Sequence, residues 1–195
     1  PHPFPVPTRE LERIAATILD VARQGGATAA ETEVSQGVGQ SVTVRQGDVE
    51  TIAYNRDKGI GVTVFVGQRR GNASTADFSD DAIRAAVGKA LAIARFTAED
   101  PAAGLADPLR LARTWPDLDL YHPWDLSVEA AIELGRVTEA AALGVDARIT
   151  NSEGATVSSW DADFVFANSR GFVGGFPSSR ASIGCGVLAA EGEAM

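Results

Sequence analysis

The sequence is short of the residues that most often do chemistry. Its 195 residues hold a single cysteine, Cys185, and two histidines, His2 and His122. One cysteine forms no internal disulfide, and four-thiolate zinc sites are excluded. A reducing compartment is the simplest home for such a chain. Two histidines this far apart cannot make a two-histidine metal motif on one helix. A Ser-His-Asp triad has one realistic imidazole, because His2 lies in a proline-rich lead. Long apolar runs are missing as well, and no stretch approaches the ~20 residues that span a bilayer. Basic side chains are outnumbered, 17 against 26, for a net charge of −9. That balance lacks the footprint of a nucleic-acid binder and the basic patch that holds an anionic membrane surface. Residues 1–7 contain four prolines and no apolar run, so they do not read as a signal peptide.

What is present is an ordinary globular composition, 45% hydrophobic and 22% charged. The length suits one domain, or one domain and part of another. Residues 1–7 read as a disordered lead. A first helix follows, with Thr8 as its expected N-cap. Leu11, Ile14, Ala15, Ile18, Leu19 and Ala22 recur at steps of three and four, and Gly25-Gly26 stops it. Over residues 29–74 the period changes to two, with β-branched enrichment in 42–44, 49–54 and 61–66. Turns are expected at Gln46-Gly47-Asp48, Arg56-Asp57-Lys58-Gly59 and Gly67-Gln68-Arg69-Arg70-Gly71. A second helix is capped by Ser79, carries Ile83, Ala86, Val87, Ala90, Leu91 and Ala94 on one stripe, and ends at Phe96.

This order predicts an α+β fold: a two-layer domain of antiparallel hairpin sheet covered by two helices. Residues 97–126 are broken by Pro101, Pro108, Pro116 and Pro123 and read as a connector. Ser127 caps a third helix. Strands are expected over 155–160, 164–168 and 180–188, with turns at Asn168-Ser169-Arg170-Gly171 and Phe176-Pro177-Ser178. No helix or cap closes this part before Met195. The expected division is an N-terminal α+β domain with connector over 8–115, then an incomplete, truncated second α+β domain over 116–195.

No constellation stands out as a catalytic centre. Asp117, Asp119, His122 and Asp125 supply metal-ligand types, but their spacing matches no metal motif, and a surface loop anchored by Leu118, Leu120, Tyr121 and Trp124 explains them. Gly37-Val38-Gly39 and Gly59-Ile60-Gly61 lack the third glycine and following helix of a phosphate cradle. Gly171 to Gly175 reads as a turn, the alternatives being a mobile loop or a close approach to a partner backbone. Cys185, between two glycines, reads as a buried inert thiol. Trp115, Trp124 and Trp160 read as core or interface anchors. Arg170 and Arg180 flank the glycine-rich stretch and are the candidate residues for binding a peptide or partner, through a carboxylate or a peptide terminus.

One ordered series remains. Val42-Thr43-Val44-Arg45-Gln46-Gly47-Asp48-Val49-Glu50 leads into Gly59-Ile60-Gly61-Val62-Thr63-Val64, then Arg70-Gly71-Asn72-Ala73-Ser74-Thr75-Ala76-Asp77-Phe78-Ser79 and Ala94-Arg95-Phe96-Thr97. Further on stand Asp117-Leu118-Asp119-Leu120-Tyr121-His122-Pro123 and Arg148-Ile149-Thr150-Asn151-Ser152-Glu153-Gly154-Ala155. From about residue 10 to residue 195 the series resembles the N-terminal part of the TldD/PmbA family, and the PmbA (TldE) branch more than TldD. The resemblance implies a cytoplasmic heterodimer of PmbA-like and TldD-like subunits, a zinc metalloprotease acting on unfolded peptides. It also implies links to peptide-antibiotic maturation, antitoxin turnover and modulation of DNA gyrase. In TldD-like subunits an H-E-x-x-x-H helix holds the zinc and supplies the general base. This chain has no His-Glu pair. The implied role is therefore a non-catalytic subunit: no catalytic residue and no cofactor in this chain, zinc in a TldD-like partner, no direct nucleic acid and no membrane. The competing reading is a binding module without a protease role, which takes an unfolded peptide by strand addition, with the hairpins of 29–74 supplying the edges, or docks gyrase or an antitoxin.

Overall fold

The structure is a computed structural model that describes residues 4–191. Its elements are α1 (Thr8–Gln24), β1 (Ala29–Arg45), β2 (Asp48–Val66), β3 (Arg69–Thr75), α2 (Asp80–Phe96), α3 (Val128–Leu143), β4 (Ile149–Asn168) and β5 (Val173–Ala189), with a short 3-10 turn at Pro108–Arg110. The strands form a five-stranded antiparallel sheet in the order β3-β2-β1-β4-β5, and the fold is α+β as expected. Its outer strands are therefore β3 and β5. Among the described residues no helix is long and apolar enough to cross a membrane.

The chain gathers into two compact units, each drawn from three stretches. The first takes residues up to Gly37, Asp57–Leu120 and Ala162–Pro177. The second takes Val38–Arg56, Tyr121–Asp161 and residues from Ser178 on.

In the first unit the helices bury the faces their periodicity marks out. Leu11, Ile14, Ala15, Ile18 and Ala22 of α1 and Ile83, Val87, Ala90, Leu91 and Ala94 of α2 pack with Val34, Ile60, Val62, Val64, Val165 and Ala167 of the strands. Burying each of the Val, Leu and Ile side chains contributes roughly 1.5–3 kcal/mol. α2 comes so close to β3 that a Cβ on Gly71 would lie 2.1 Å from the Ala90 carbonyl oxygen. Ser79 caps α2 as expected, its hydroxyl accepting from the Ala82 amide at 3.4 Å. In the second unit Val42, Val44, Ala131 and Val157 form a smaller core, with Trp124, Leu126 and Leu134 packed against it. Ser127 caps α3, accepting from the Ala130 amide at 3.1 Å.

The structure corrects several local expectations. Pro7, not Thr8, stands at the N-cap of α1; the Thr8 hydroxyl instead donates to Asp163 Oδ2 at 2.8 Å. β2 runs straight through Arg56-Asp57-Lys58-Gly59, where a turn is expected. Those polar residues mark solvent exposure, and a neighbouring strand gives their backbone a ladder to follow. The strands expected at 155–160 and 164–168 are one strand, β4. β5 passes through Pro177 without turning. Proline lacks a donor, and an outer strand is where a sheet tolerates that. Gly37-Val38-Gly39 lies inside β1, where a Cβ on Gly39 would meet the Trp160 ring at 2.3 Å. The hairpin turns at Gln46-Gly47 and Gly67-Gln68 are where the sequence places them. Gln46, Gly47 and Gly67 adopt φ of 52°, 80° and 60°. Of the proline-rich lead, residues 1–3 lie outside the described chain, and Val6 exchanges two hydrogen bonds with Gln36.

Candidate functional site

β4 has two faces with different neighbours. Side chains alternate along a strand, so Val165 and Ala167 point into the helix-covered core while Phe164 and Phe166 point the other way. Phe172, Gly174 and Phe176 share a face of the adjoining segment by the same alternation. The rings meet: Phe164 and Phe176 edge to face at 4.9 Å, and Phe166 and Phe172 tilted at 6.0 Å. Such pairs are worth about 0.5–1.5 kcal/mol beyond their burial.

The proline-broken connector completes this face. Its prolines keep it extended, and it is tied down at its start by the Asp100 amide donating to the Gln68 carbonyl at 2.9 Å. Trp115 is thereby laid against Phe172 at 5.4 Å between ring centroids. Two glycines make room. A Cβ on Gly174 would lie 3.0 Å from the Trp115 ring, and one on Gly175 would lie 1.8 Å from the Phe164 carbonyl oxygen. The result is a cavity of about 320 Å³ walled by Trp115, Leu118, Phe164, Phe166, Phe172 and Phe176. Trp115 stays 47% exposed and Leu118 46%, so the cavity opens to solvent. A second cavity of about 430 Å³ lies beside it and shares Ala112, Trp115 and Phe172. Arg113 and Arg170 line this one.

Arg170 sits in the β4–β5 turn of the first unit. Its Nη1 donates to the Leu105 carbonyl at 3.1 Å and to the Ala106 carbonyl. The turn is shaped by Asn168, whose Oδ1 accepts from the Arg170 amide at 2.9 Å, and by Gly171 at φ 88°. Arg180 belongs to the second unit and stands exposed on β5. Ten positions of mostly extended chain separate the two arginines. Arg170 thus lines the second cavity with Arg113, beside the aromatic one; Arg180 lines neither.

The second unit holds a residue that sequence reasoning missed. Glu139 on α3 is 2% exposed. Its Oε1 accepts from the Gln46 amide and its Oε2 from the Gly47 amide, each at 2.9 Å. Arg136, one turn earlier, donates from Nε to the Gly47 carbonyl at 2.8 Å. Burial works against ionisation of Glu139, but hydrogen bonds from the Ser152 hydroxyl and the two turn amides outweigh it, and the carboxyl is held below its ordinary range. α3 therefore grips the tip of the β1–β2 hairpin. The sequence signal was slight: Glu139 stands in an i, i+4 row with Ala131 and Gly135, the buried row of α3.

The remaining expected features are plain. Asp117 Oδ1 accepts from the Asp119 amide at 3.0 Å, a local turn. Cys185 is half-buried, with its sulfur 4.0 Å from the Ser152 hydroxyl. Among the described residues no three His, Cys, Asp or Glu side chains are grouped to hold a metal ion. The described donor set does not fit a zinc ion.

The chain is similar to known proteins over most of its length. Residues 30–94 match the model of PmbA/TldA metallopeptidase domain 1, and residues 121–195 match that of the PmbA/TldA metallopeptidase central domain. Metalloprotease PmbA of Escherichia coli O157:H7 is 45% identical over 181 residues, 93% of this chain and 40% of that protein. A metalloprotease PmbA homolog of Haemophilus influenzae is 40% identical over 187 residues, 96% of this chain and 41% of that protein. The chain spans about two-fifths of the length of these relatives. Among solved structures, a candidate modulator of DNA gyrase from Bacteroides thetaiotaomicron superposes with a TM-score of 0.84 at 24% identity, over 95% of this chain and 43% of that one. TldE from Thermococcus kodakarensis superposes with a TM-score of 0.74 at 14% identity, over 92% of this chain and 40% of that one. At these identities the superpositions establish the shared fold.

Proposed function

Because the chain belongs to the PmbA/TldD metallopeptidase family, we propose that it is the N-terminal portion of a PmbA/TldE-like subunit that is itself non-catalytic. Its partner is a TldD-like subunit, which carries the zinc and the general base. The pair acts in the cytoplasm on unfolded peptides, in peptide-antibiotic maturation, antitoxin turnover and the modulation of gyrase. The observation that carries this reading is the order of the matches, domain 1 and then the central domain, together with relatives named metalloprotease PmbA at 40–45% identity.

Within such a pair this chain's own residues would bind and orient a peptide rather than cleave it. What supports a binding role is the set of side chains present: an aromatic cavity with two arginines beside it. The test is to purify the protein alone and with a TldD-like subunit. The expected result is no stoichiometric zinc and no peptidase activity alone, with stable pairing and peptidase activity together. Stoichiometric zinc or peptide hydrolysis by this protein alone would overturn the reading.

A second reading is favoured by one feature, the outer strand β5 over Val173–Ala189. An outer strand offers unpaired amides and carbonyls, and an extended peptide can add to it. Of the expected edges within residues 29–74, only β3 is an outer strand. Peptide binding by strand addition, without a protease role, predicts slowed hydrogen exchange along β3 or β5 when an unfolded peptide is added. Unchanged exchange along both would remove this reading.

A further inference from the structure

We propose that the aromatic cavity and the arginine-lined cavity beside it form one site for the C-terminal residue of a peptide. The first takes a bulky apolar side chain; Arg113 and Arg170 take the free α-carboxylate. The inference rests on the peptide-handling reading above and narrows it to a chain end.

Shape comes first. A volume of about 320 Å³ walled by four phenylalanines, a tryptophan and a leucine suits one aromatic or large aliphatic side chain. The two cavities share Ala112, Trp115 and Phe172. A residue whose side chain fills the first therefore has its backbone at the second.

Charge decides what kind of backbone. The chain carries 26 acidic and 17 basic side chains, so a random patch is more often acidic than basic. Yet the charged side chains lining the second cavity are both arginines, and no carboxylate lines it. Arg170 is held in place through Nη1 alone, by the Leu105 and Ala106 carbonyls. A guanidinium fixed along one edge is pre-organised for a carboxylate, the planar anion its fork matches. An internal peptide segment has no charge to offer there, whereas a chain end does.

The third observation separates a peptide from a free amino acid. Val173 lines the second cavity and Gly174 to Phe176 the first, and all belong to the outer strand β5. The residues that precede a C-terminal residue thus have a strand edge to pair with.

The experiment is calorimetric titration of the protein with acetyl-Gly-Gly-Phe as free acid, the same peptide as C-terminal amide, and free phenylalanine. The acid is expected to bind about tenfold more tightly than the amide, as a charge-assisted pair implies. Arg113→Gln should abolish that difference and leave the amide's affinity unchanged. Phe172→Ala should weaken acid and amide alike. Arg170→Gln should act like Arg113→Gln, but Arg170 also ties down the connector, so exposed Arg113 carries the test. Equal affinity for acid and amide, an unchanged preference in Arg113→Gln, free phenylalanine binding as tightly as the peptide, or no binding would each overturn the proposal. Pairing of Arg113→Gln with a TldD-like subunit is measured alongside. If the unmodified protein pairs but shows no preference for acid over amide, this inference alone is sunk, whereas its failure to pair sinks the proposed function.

Discussion

Replacing Glu139 by glutamine should destabilise the protein far more than its near-identical shape suggests. The carboxylate gives one oxygen to each of two amides, Gln46 N and Gly47 N, both at 2.9 Å. A glutamine amide has one oxygen and one NH2 group. One turn amide keeps an acceptor and the other faces a donor. Hydrogen bonds to a charged group contribute about 1.5–3 kcal/mol each, so losing one outright and reducing the other to a neutral bond costs roughly 2–4 kcal/mol. The turn has little to fall back on, because Gln46 sits at φ 52°, a left-handed conformation that costs a non-glycine residue about 1–2 kcal/mol. At a urea m-value of about 2 kcal/mol/M the unfolding midpoint should fall by about 1–2 M. Trp124, packed against the α3 core, is the reporter. The pH dependence has a fixed sign. The folded-state pKa of Glu139 is depressed, so its stabilisation is fully present above the unfolded value of about 4.3 and is lost as pH falls through the folded value. That acid-side loss should be present in the parent and smaller in Glu139→Gln. A midpoint within about 0.2 M of the parent at neutral pH, well inside the shift the lost bond requires, would refute the reasoning.

Other outcomes follow from the same geometry. Gly71→Ala should lower Tm by several degrees, because its methyl would sit 2.1 Å from the Ala90 oxygen and 2.5 Å from the Ala94 nitrogen, backbone atoms that cannot swing aside. Ser127→Ala removes the acceptor for the Ala130 amide and should cost about 1 kcal/mol, a fall in Tm of roughly 2–4 °C by calorimetry. Gly175→Ala should impair folding, since the methyl would meet the Phe164 oxygen at 1.8 Å, whereas Gly174→Ala meets only ring edges at 3.0 Å and should fold while narrowing the cavity. Circular dichroism melts of the two variants decide this, and equal Tm values for them would count against the assigned roles.

How much of the fold was legible depends on the range of the signal. α2 was readable in full: its stripe, its Ser79 cap and its Phe96 end are all local features. The hairpin turns at Gln46-Gly47 and Gly67-Gln68 were readable because left-handed φ selects a few residue types. The lengths of β2, β4 and β5 were not. Arg56-Asp57-Lys58 and Phe176-Pro177-Ser178 carry turn-like chemistry, yet a strand continues as long as its neighbour supplies a ladder. Pairing partners lie far off in sequence, so period and turn chemistry cannot report them. Thr8 is the same lesson at smaller scale: its hydroxyl prefers Asp163, more than 150 positions away, to the helix it was expected to cap.

The candidate site shows where that limit falls for function. Phe164 and Phe166 could be placed on one strand face by alternation alone. That Trp115 returns to the same face could not, because the connector's path is set by the ties at Gln68 and at Arg170 rather than by any period in 97–126. The glycines of 171–175 were readable as a group and ambiguous one by one. Gly171 serves the turn, Gly175 the approach of β5 to β4, and Gly174 the seat of Trp115. Only the last is a demand of the cavity rather than of the fold. A family resemblance, carried by the order of many short segments, cannot distinguish these demands, since it weighs every glycine alike. Gly174 is therefore where a change can alter what the cavity holds without altering whether the chain folds, and that separation is what a binding site requires of its scaffold.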